Sequence, residues 1–415
     1  MNYTQSVEYI HSLLAFGIKP GLERIKMLLK LLGDPQDKIK TVHIAGTNGK
    51  GSTSSMIANA LICDGHKTGL FVSPYVISFC ERIQIDGKNI DGEFLAERVT
   101  RVREKIEELN KNNIIITEFE AITAAAFLCF YESGCDYAVI EVGLGGRFDA
   151  TNVLKAPEAV VITSVSLDHT AILGDTVSKI AFEKCGIIKN GSTVITSANQ
   201  SDEAAEVIEK TVFERGGRLI KTDSKGAKIV SESIFGTEFD YNKEKYKITL
   251  AGEHQIENAL NAIEAAKAIG VSPKAIIDGI SKTRMTARME IIGQVPLVIR
   301  DGGHNEGCSL ALRDYLLKYN VKNIRLLIGM MADKDTESYI KNIVPLCRSV
   351  TTVTPSNPRS MDGKVLMKIA QKYCENCEFI SDPKTAYDRL LSNSAKDDTV
   401  LVCGSFYLIS DIFSE

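Results

Sequence analysis

The segment Ala45–Thr53, AGTNGKGST, follows an apolar run, Thr41 to Ala45, and opens a run of helical spacing that continues to about Cys63. A strand that delivers a glycine-rich turn into a helix start confines the chain to α/β architectures, because backbone amides and the positive end of a helix converge there. Gly46, Gly49 and Gly51 let backbone N–H groups approach an anion. Lys50 supplies a full charge to β- and γ-phosphates, and Ser52 or Thr53 offers a hydroxyl to a metal. Thr47 and Asn48 complete the loop. The strict phosphate-loop spacing is not met: Ile44 stands where the first glycine would be, and Gly51 separates Lys50 from Ser52. The segment is a variant ATP-type loop, and a plain glycine turn with a solvated lysine is the bland alternative.

The rest of the chain repeats the strand and helix alternation. Strands are expected at Thr68 to Val72, Tyr137 to Val142, Ala159 to Thr163 and Ser192 to Thr196, with helices at Glu93 to Leu109, Thr117 to Glu132 and Val177 to Cys185. From Arg218 to Leu250 the pattern changes to short alternating pieces, which predicts a small antiparallel β addition. A helix follows from about His254 to Ile269, and a second alternation begins at Pro296 to Ile299. It continues through a helix from Cys308, strands Ile324 to Ile328 and Val350 to Val353, a helix from Met361, and strand Thr399 to Cys403. The expected architecture is α/β: an N-terminal parallel-sheet domain carrying the phosphate loop, residues 1–290, and a smaller Rossmann-like α/β domain, residues 291–415. The boundary falls near residues 285 to 295, and a cleft between two such sheets is where ligands bind.

Composition narrows the function. The 415 residues suggest roughly two to three domains at about 150 residues each, and 44% hydrophobic content suffices for packed cores. A net charge of −4 gives no global basic field for nucleic acid or an anionic membrane. The start lacks a signal-peptide pattern and the longest nearly apolar run, Ala121 to Tyr131, is too short to span a bilayer, so the chain is read as soluble and cytoplasmic. Ten scattered cysteines fit a reducing compartment, and the Cys374/Cys377 CxxC has no second pair to complete a zinc site.

Other chemistry-bearing residues fall at strand ends. Ser73, Glu141 and Asp168-His169 lie at or just beyond carboxyl ends of expected strands, on the same sheet edge as the phosphate loop, where they can hold magnesium with waters and phosphate oxygens. A hydrogen-bonded loop histidine is an equal alternative for His169. Gly143-Leu144-Gly145-Gly146 does not complete a dinucleotide fingerprint, because Phe148 occupies its last position. Residues 300 to 305, Arg-Asp-Gly-Gly-His-Asn, end a strand of the second half, and Arg288 sits near the linker, able to swing onto a phosphate as domains close.

Together these segments resemble the folylpolyglutamate and dihydrofolate synthases of the Mur ligase superfamily of ATP-dependent amide ligases. HIAGTNGKGST, SPYVISFCERIQIDG, TEFEAITAAAF, IEVGLGGRFDATNV, ITSVSLDHTAILGDTVSKIAFEKCGIIK, GEHQIENALNAIEAA, DGGHN, GMMADKD and CGSFYLI occur in the family's order. The resemblance implies that the Lys50 loop cradles the triphosphate and that Ser73, Glu141 and His169 hold two magnesium ions. It implies that Lys184 carries a carbamate supporting the second ion. By the same likeness Asn258, Arg288 and Asp301 hold adenine, phosphate and ribose, with His304 in the same nucleotide-contacting stretch. Asp149 would contact a pterin, in a pocket lined by Gly21, Leu22 and Thr117 and flanked by Phe148 and Ala150.

The implied catalytic set is Lys50, Glu141, His169 and Lys184. The implied reaction converts a carboxylate of dihydropteroate or a reduced folate to an acyl phosphate at the expense of ATP, and the amine of L-glutamate displaces phosphate; the implied enzyme is a monomer. Tyr75, Thr286-Ala287 and Gly303 with Glu306 depart from the family's His, Pro-Gly and Ala with Pro, and bear on substrate preference. A Mur-type ligase with another carboxylate acceptor and a non-catalytic ATP-binding module are the alternatives.

Overall fold

The structure, a computed structural model, describes residues 1–17, 19–249, 252–284 and 286–414. Its strands in chain order begin with β1 (Lys40–Ala45), β2 (Thr68–Phe71), β3 (Ile83–Ile85), β4 (Lys88–Asn89), β5 (Tyr137–Glu141), β6 (Ala159–Ile162), β7 (Thr193–Ser197) and β8 (Arg218–Thr222). These eight form one sheet in the order β4-β3-β2-β5-β1-β6-β7-β8. Pairing is parallel from β2 through β5, β1, β6 and β7 to β8, while β3 runs antiparallel to both of its neighbours, β2 and β4. β1 is central, and five of its six residues are buried, as expected of a strand covered on both faces.

Helices Lys50–Cys63, Glu253–Ala268 and Pro273–Lys282 cover one face of this sheet, burying Met56, Leu61, Leu260, Ile263 and Ile276 against Val42, Ile44, Val139 and Val161. Helices Tyr3–Ser12, Glu23–Leu31, Gly92–Asn110 and Glu118–Glu132 cover the other, packing Leu28, Leu95, Phe127 and Phe130 onto Phe71 and Ile140. At about 25 cal/mol per Å² of apolar area, each such large side chain contributes on the order of 2 kcal/mol against its exposed state.

β9 (Lys228–Ser233), β10 (Gly236–Tyr241) and β11 (Glu244–Ile248) form a three-stranded antiparallel sheet, whose Phe239, Tyr246 and Ile248 join the core beneath the Pro273–Lys282 helix. β12 (Glu290–Gln294), β13 (Leu297–Asp301), β14 (Ile324–Ile328), β15 (Cys347–Thr352), β16 (Cys377–Phe379) and β17 (Thr399–Cys403) form a six-stranded sheet in the order β12-β13-β17-β14-β15-β16. It is parallel except at the β12 edge. The mixed α/β architecture therefore agrees with expectation.

Three local features differ. Arg218 does not begin the antiparallel addition: Arg218–Thr222 pairs in parallel with Thr193–Ser197 and completes the large sheet. Its outer edge is half open to solvent, so its alternation imitates an antiparallel strand. Leu250, the expected end of the addition, and Met285, at the expected linker, lie outside the described residues. The Pro273–Lys282 helix is the second difference. It starts at Ser272, whose side chain accepts from the Ala275 amide, with proline in the first helical turn where no N–H is needed. The third is β12, which pairs antiparallel with β13 ahead of the expected Pro296 start. Among the described residues no helix is long and apolar enough to cross a membrane.

Candidate active site

The turn after β1 is shaped by close approaches that only glycine permits. A Cβ on Gly46 would lie 1.7 Å from Thr163 Oγ1, and one on Gly49 would lie 2.1 Å from Asn258 Oδ1. Gly49 also has φ +86° and caps the Lys50–Cys63 helix, a left-handed conformation that costs other residues about 1–2 kcal/mol. The loop is pinned to the segment after β6: the Thr47 amide donates to Ser164 O at 2.7 Å, and its hydroxyl donates to Ser166 O at 3.1 Å. Thr53 turns its hydroxyl onto Asn258 O at 3.5 Å, a packing role, and Ser52 is buried in the first helical turn. The loop is preorganised with its helix N-terminus at the sheet edge.

Two ammonium groups share one carbonyl of this loop. Lys50 Nζ donates to Gly46 O and Thr47 O, each at 3.1 Å, and Lys184 Nζ, from helix Val177–Cys185, donates to Gly46 O at 2.8 Å. Lys184 is buried, and burial together with the Lys50 charge lowers its pKa to about 7. Both lysines point at a position where anionic charge would relieve their repulsion.

Glu141 ends β5 and is buried, and its carboxylate accepts the Ser73 amide at 3.2 Å. Burial raises its pKa, opposed by the charges of Lys50, Arg288 and Arg82 and by the Ser73 amide. Ser73, Glu141 and Arg288 line one cleft of ≈ 440 Å³, which extends along the Lys50–Cys63 helix.

His169 lies seven residues beyond β6, at φ +50°, with its side chain 43% exposed and its amide donating to Asp168 Oδ1 at 2.8 Å. Partial burial lowers its pKa against the pull of Asp168. Burial would raise the pKa of Asp168 itself, but the charges of His169 and Lys334 bring it below the usual value.

Across the cleft, Asp301 ends β13, buried, with its carboxylate accepting the amides of Met289 and Gly303, both at 2.9 Å. Burial raises its pKa and Arg288 opposes that. Arg288 lies 4.7 Å from the Phe406 ring centre, and the His304 ring is 6.2 Å from the same ring. Burial, with Lys334 and Arg288 nearby, lowers His304 to about 4.

Asn305 and Lys334 belong to the same wall. Asn305 caps helix Glu306–Lys318 with its oxygen, while its amide donates to Asn48 Oδ1 and to Asp168 Oδ2, both at 3.4 Å. Lys334 lies 3.7 Å from Asp168 Oδ1. Neither is singled out by the sequence reading, although Asn305 and Lys334 stand inside the quoted DGGHN and GMMADKD.

Of the expected pterin residues, Gly21, Leu22 and Thr117 lie on the opposite face of the large sheet from the cleft. Gly21 and Leu22 precede helix Glu23–Leu31, and Arg24 of that helix pairs with Glu120 at 3.1 Å. Glu120 in turn accepts the Thr117 amide and hydroxyl, each at 2.9 Å, so the two stretches are neighbours. Asp149 is buried and turned inward: its carboxylate accepts the amides of Leu144 and Thr151, at 2.9 and 3.0 Å, and caps the turn in which Ala150 is buried. Phe148 is 46% exposed, with the Arg147 guanidinium 4.3 Å above its ring. The structure thus gathers Lys50, Lys184, Ser73, Glu141 and Arg288 about the phosphate loop, and it sets Gly21, Leu22 and Thr117 apart from them, while the loop of Phe148 and Asp149 packs on the Lys184 helix, the Arg147 amide donating to Glu183 O at 2.7 Å and the Asp149 charge acting on Lys184.

Among the described residues no group of three or more His, Cys, Asp or Glu side chains is placed to hold a metal ion. The donor set still suits magnesium, which takes few protein ligands and keeps water and phosphate oxygens. Glu141 ends at the cleft with one backbone hydrogen bond, next to Ser73.

The Mur ligase middle-domain family model matches residues 44–266, and the Mur ligase glutamate-ligase-domain model matches residues 287–406. The dihydrofolate synthase/folylpolyglutamate synthase of Bacillus subtilis (strain 168) is 35% identical over 426 residues, covering 99% of this chain and 98% of that protein. A crystal structure of folylpolyglutamate synthase from Thermotoga maritima superimposes with a TM-score of 0.87 at 34% identity, covering 98% of this chain and 95% of that one. The E. coli FolC in complex with DHPP and ADP gives 0.87 at 27% identity, covering 99% and 96%.

Proposed function

The chain belongs to the dihydrofolate synthase/folylpolyglutamate synthase family of Mur ligases, and from that premise we propose that its cleft joins L-glutamate to dihydropteroate and to the glutamate tail of reduced folates. It is an ATP-dependent carboxylate–amine ligase. The observation that carries the reading is the buried Glu141 at the cleft floor, faced by Lys50 and Arg288 beside a helix N-terminus. That arrangement suits a site which must hold a triphosphate and offset charge on a transferring phosphoryl group.

The acceptor carboxylate attacks the γ-phosphorus of ATP, ADP leaves, and the acyl phosphate formed is attacked by the glutamate α-amine. The new C–N bond forms as the C–O bond to phosphate breaks, releasing phosphate and a proton. Gly46, Thr47, Asn48, Gly49, Lys50, Gly51, Ser52 and Thr53 hold the phosphates, while Asn258, Arg288 and Asp301 hold adenine, phosphate and ribose, with His304 in the same nucleotide-contacting stretch. Arg288, stacked on Phe406 at the mouth of the cleft, can follow the phosphates as the two walls approach. Glu141, Ser73 and His169 would hold two magnesium ions, which when bound neutralise phosphate charge.

Lys184 would be carried as a carbamate. Its pKa of about 7 leaves much of the amine neutral at neutral pH, the form that adds CO2 with loss of a proton. The negative product would lie against Lys50 and remove the clash at Gly46 O. Gly21, Leu22, Thr117, Phe148, Asp149 and Ala150 form the pterin pocket for dihydropteroate. Asp149 there holds the loop that presents the Phe148 ring, a surface suited to stacking a flat heterocycle.

Residues 1–290 act as the ATP-binding domain and 291–415 as the glutamate-ligase domain. The enzyme acts as a monomer, since one chain supplies both walls of the cleft. Its free cysteines fit the reducing cytoplasm.

The test is product mass after incubation with Mg-ATP, L-glutamate and, separately, dihydropteroate or a tetrahydrofolate. One added glutamate on each acceptor is the expected result. Intact acceptors with ATP unspent would end the proposal.

A further inference from the structure

The cleft does not stop at the phosphate loop. Gly51, Ser55, Ala58, Asn59 and Ile62 all line it, and their spacing places them on one face of the Lys50–Cys63 helix. From Gly51 to Ile62 that floor runs about 16 Å at 1.5 Å per residue. Small side chains leave it open. One wall is hairpin β3–β4 with Gln84, Gly87 and Asn89; the other is made by Lys282, Arg284, Thr286 and Arg288.

That second wall is cationic along its length. Arg288 stands at the inner end, near Glu141. Arg284 follows, tethered through donations to Thr249 Oγ1 at 2.8 Å and to Thr283 O at 3.0 Å, and the neighbouring Thr283 hydroxyl receives Asn59 Nδ2 at 2.9 Å. Lys282 closes the outer end, 3.6 Å from Cys63 Sγ at the last turn of the floor helix. Among the described residues none of these three cations makes a side-chain ion pair within 4 Å; the hydrogen bonds of Lys282 and Arg284 go to neutral groups, while Arg288 faces Glu141 and Asp301. The acid lining the same stretch, Glu81, is engaged by the amides of Val76, Ile77 and Ser78. The outer cleft is thus a track of donors and positive charge with its one acid occupied.

Resting on the ligase reading above, we propose that this track binds the anionic γ-glutamyl tail of the acceptor. The tail's terminal carboxylate would be at Glu141 and Ser73, and its preceding α-carboxylates on Arg284 and Lys282. A γ-linked glutamyl unit spans about 6 Å when extended, so the floor takes two to three units. The track lies on the sheet face opposite the Thr117 stretch, so a tail-bearing folate held here has its pteroyl group beyond Lys282, and the Asp149 pocket is left to dihydropteroate. Dihydropteroate, which has no tail, therefore makes no use of it.

The experiment compares the enzyme with Lys282→Ala/Arg284→Ala, measuring KM for dihydropteroate, for ATP and for mono- and triglutamyl tetrahydrofolate, and the length distribution of products. The expected result is a KM for the triglutamyl acceptor raised about fivefold to tenfold, the effect of two partly exposed ion pairs. The other three constants stay within about twofold and products are shorter. Lys282→Arg/Arg284→Lys, which keeps both charges, should restore the triglutamyl KM. A raised KM for ATP would assign these cations to the nucleotide, and an equal change for mono- and triglutamyl acceptors would remove the track; either overturns the inference while leaving the ligase intact. Absence of glutamate addition by the unaltered enzyme would overturn the ligase reading along with it.

Discussion

Lys334 Nζ stands 3.7 Å from Asp168 Oδ1, joining the loop after β14 to the loop that carries His169. Both side chains are largely sheltered, at 13% and 17% exposure, so the pair is screened less than a surface ion pair. With the Asn305 amide on the other Asp168 oxygen and on Asn48, one polar contact ties the second sheet to the phosphate loop and to the residue beside His169. Such a contact can form and break with each turnover, which a wide apolar interface would not allow.

Lys334→Met is expected to lower kcat about tenfold with little loss of Tm, because it removes a closing contact and no core packing. Asp168→Asn combined with it should cost little beyond the larger single effect, the non-additivity of partners in one contact. Small-angle scattering with a non-hydrolysable ATP analogue should show a less compact Lys334→Met complex. Additive kinetic losses and unchanged scattering would sink the idea.

Lys50→Ala should reduce kcat at least about a hundredfold, the scale of losing one preorganised donor to transition-state charge. Single-turnover kinetics place the loss in phosphoryl transfer. Near-normal turnover would exclude Lys50 from that role.

Lys184→Ala should abolish most turnover while retaining fold, since among the described residues its ammonium hydrogen-bonds only Gly46 O. Native mass spectrometry of the unaltered enzyme in bicarbonate should show one added CO2 per chain, lost in the variant. An unmodified, fully active enzyme in CO2-free buffer would exclude the carbamate.

Gly49→Ala is expected to weaken ATP-analogue binding at least about tenfold, from about 1–2 kcal/mol of left-handed strain plus the clash with Asn258. Gly65→Ala is the control: it too has positive φ, +90°, but nothing lies within 4 Å of its Cβ. Calorimetric titration should show near-normal binding there. Equal loss at both positions would mean that backbone strain alone, and not the Asn258 approach, governs the site.

The site was legible where the chemistry is local. The Gly46–Thr53 turn and the strand-end Glu141 are written in neighbouring residues, whereas the ten-residue helix that starts at Ser272-Pro273 is too short for a long apolar repeat to mark it. Lys334 and Asp168 are 166 positions apart, and only the packing of two sheets brings them together. Arg218 misleads because an edge strand with one open side alternates like a hairpin strand. Asp149 looks like a free acid in RFDATN, yet its carboxylate is taken by backbone amides that no spacing rule foretells.

His43 supplies a prediction about stability. It lies on β1, fully buried, with Nε2 2.9 Å from Thr151 Oγ1, and burial with the Lys189 charge lowers its pKa to about 3. Above the unfolded value of about 6.5 the ring is neutral in both states and its contribution is complete. As pH falls from 6.5 toward 3 the unfolded chain takes up the proton first, and stability is lost by up to about 1.4 kcal/mol per pH unit. His254 and His304, both lowered to about 4, act in the same direction. His43→Gln, which keeps a polar partner for Thr151, should therefore show a smaller fall in Tm between pH 7 and pH 5 than the unaltered chain, without abolishing it. Parallel melting curves across that range would show that His43 does not set the acid limit of this fold.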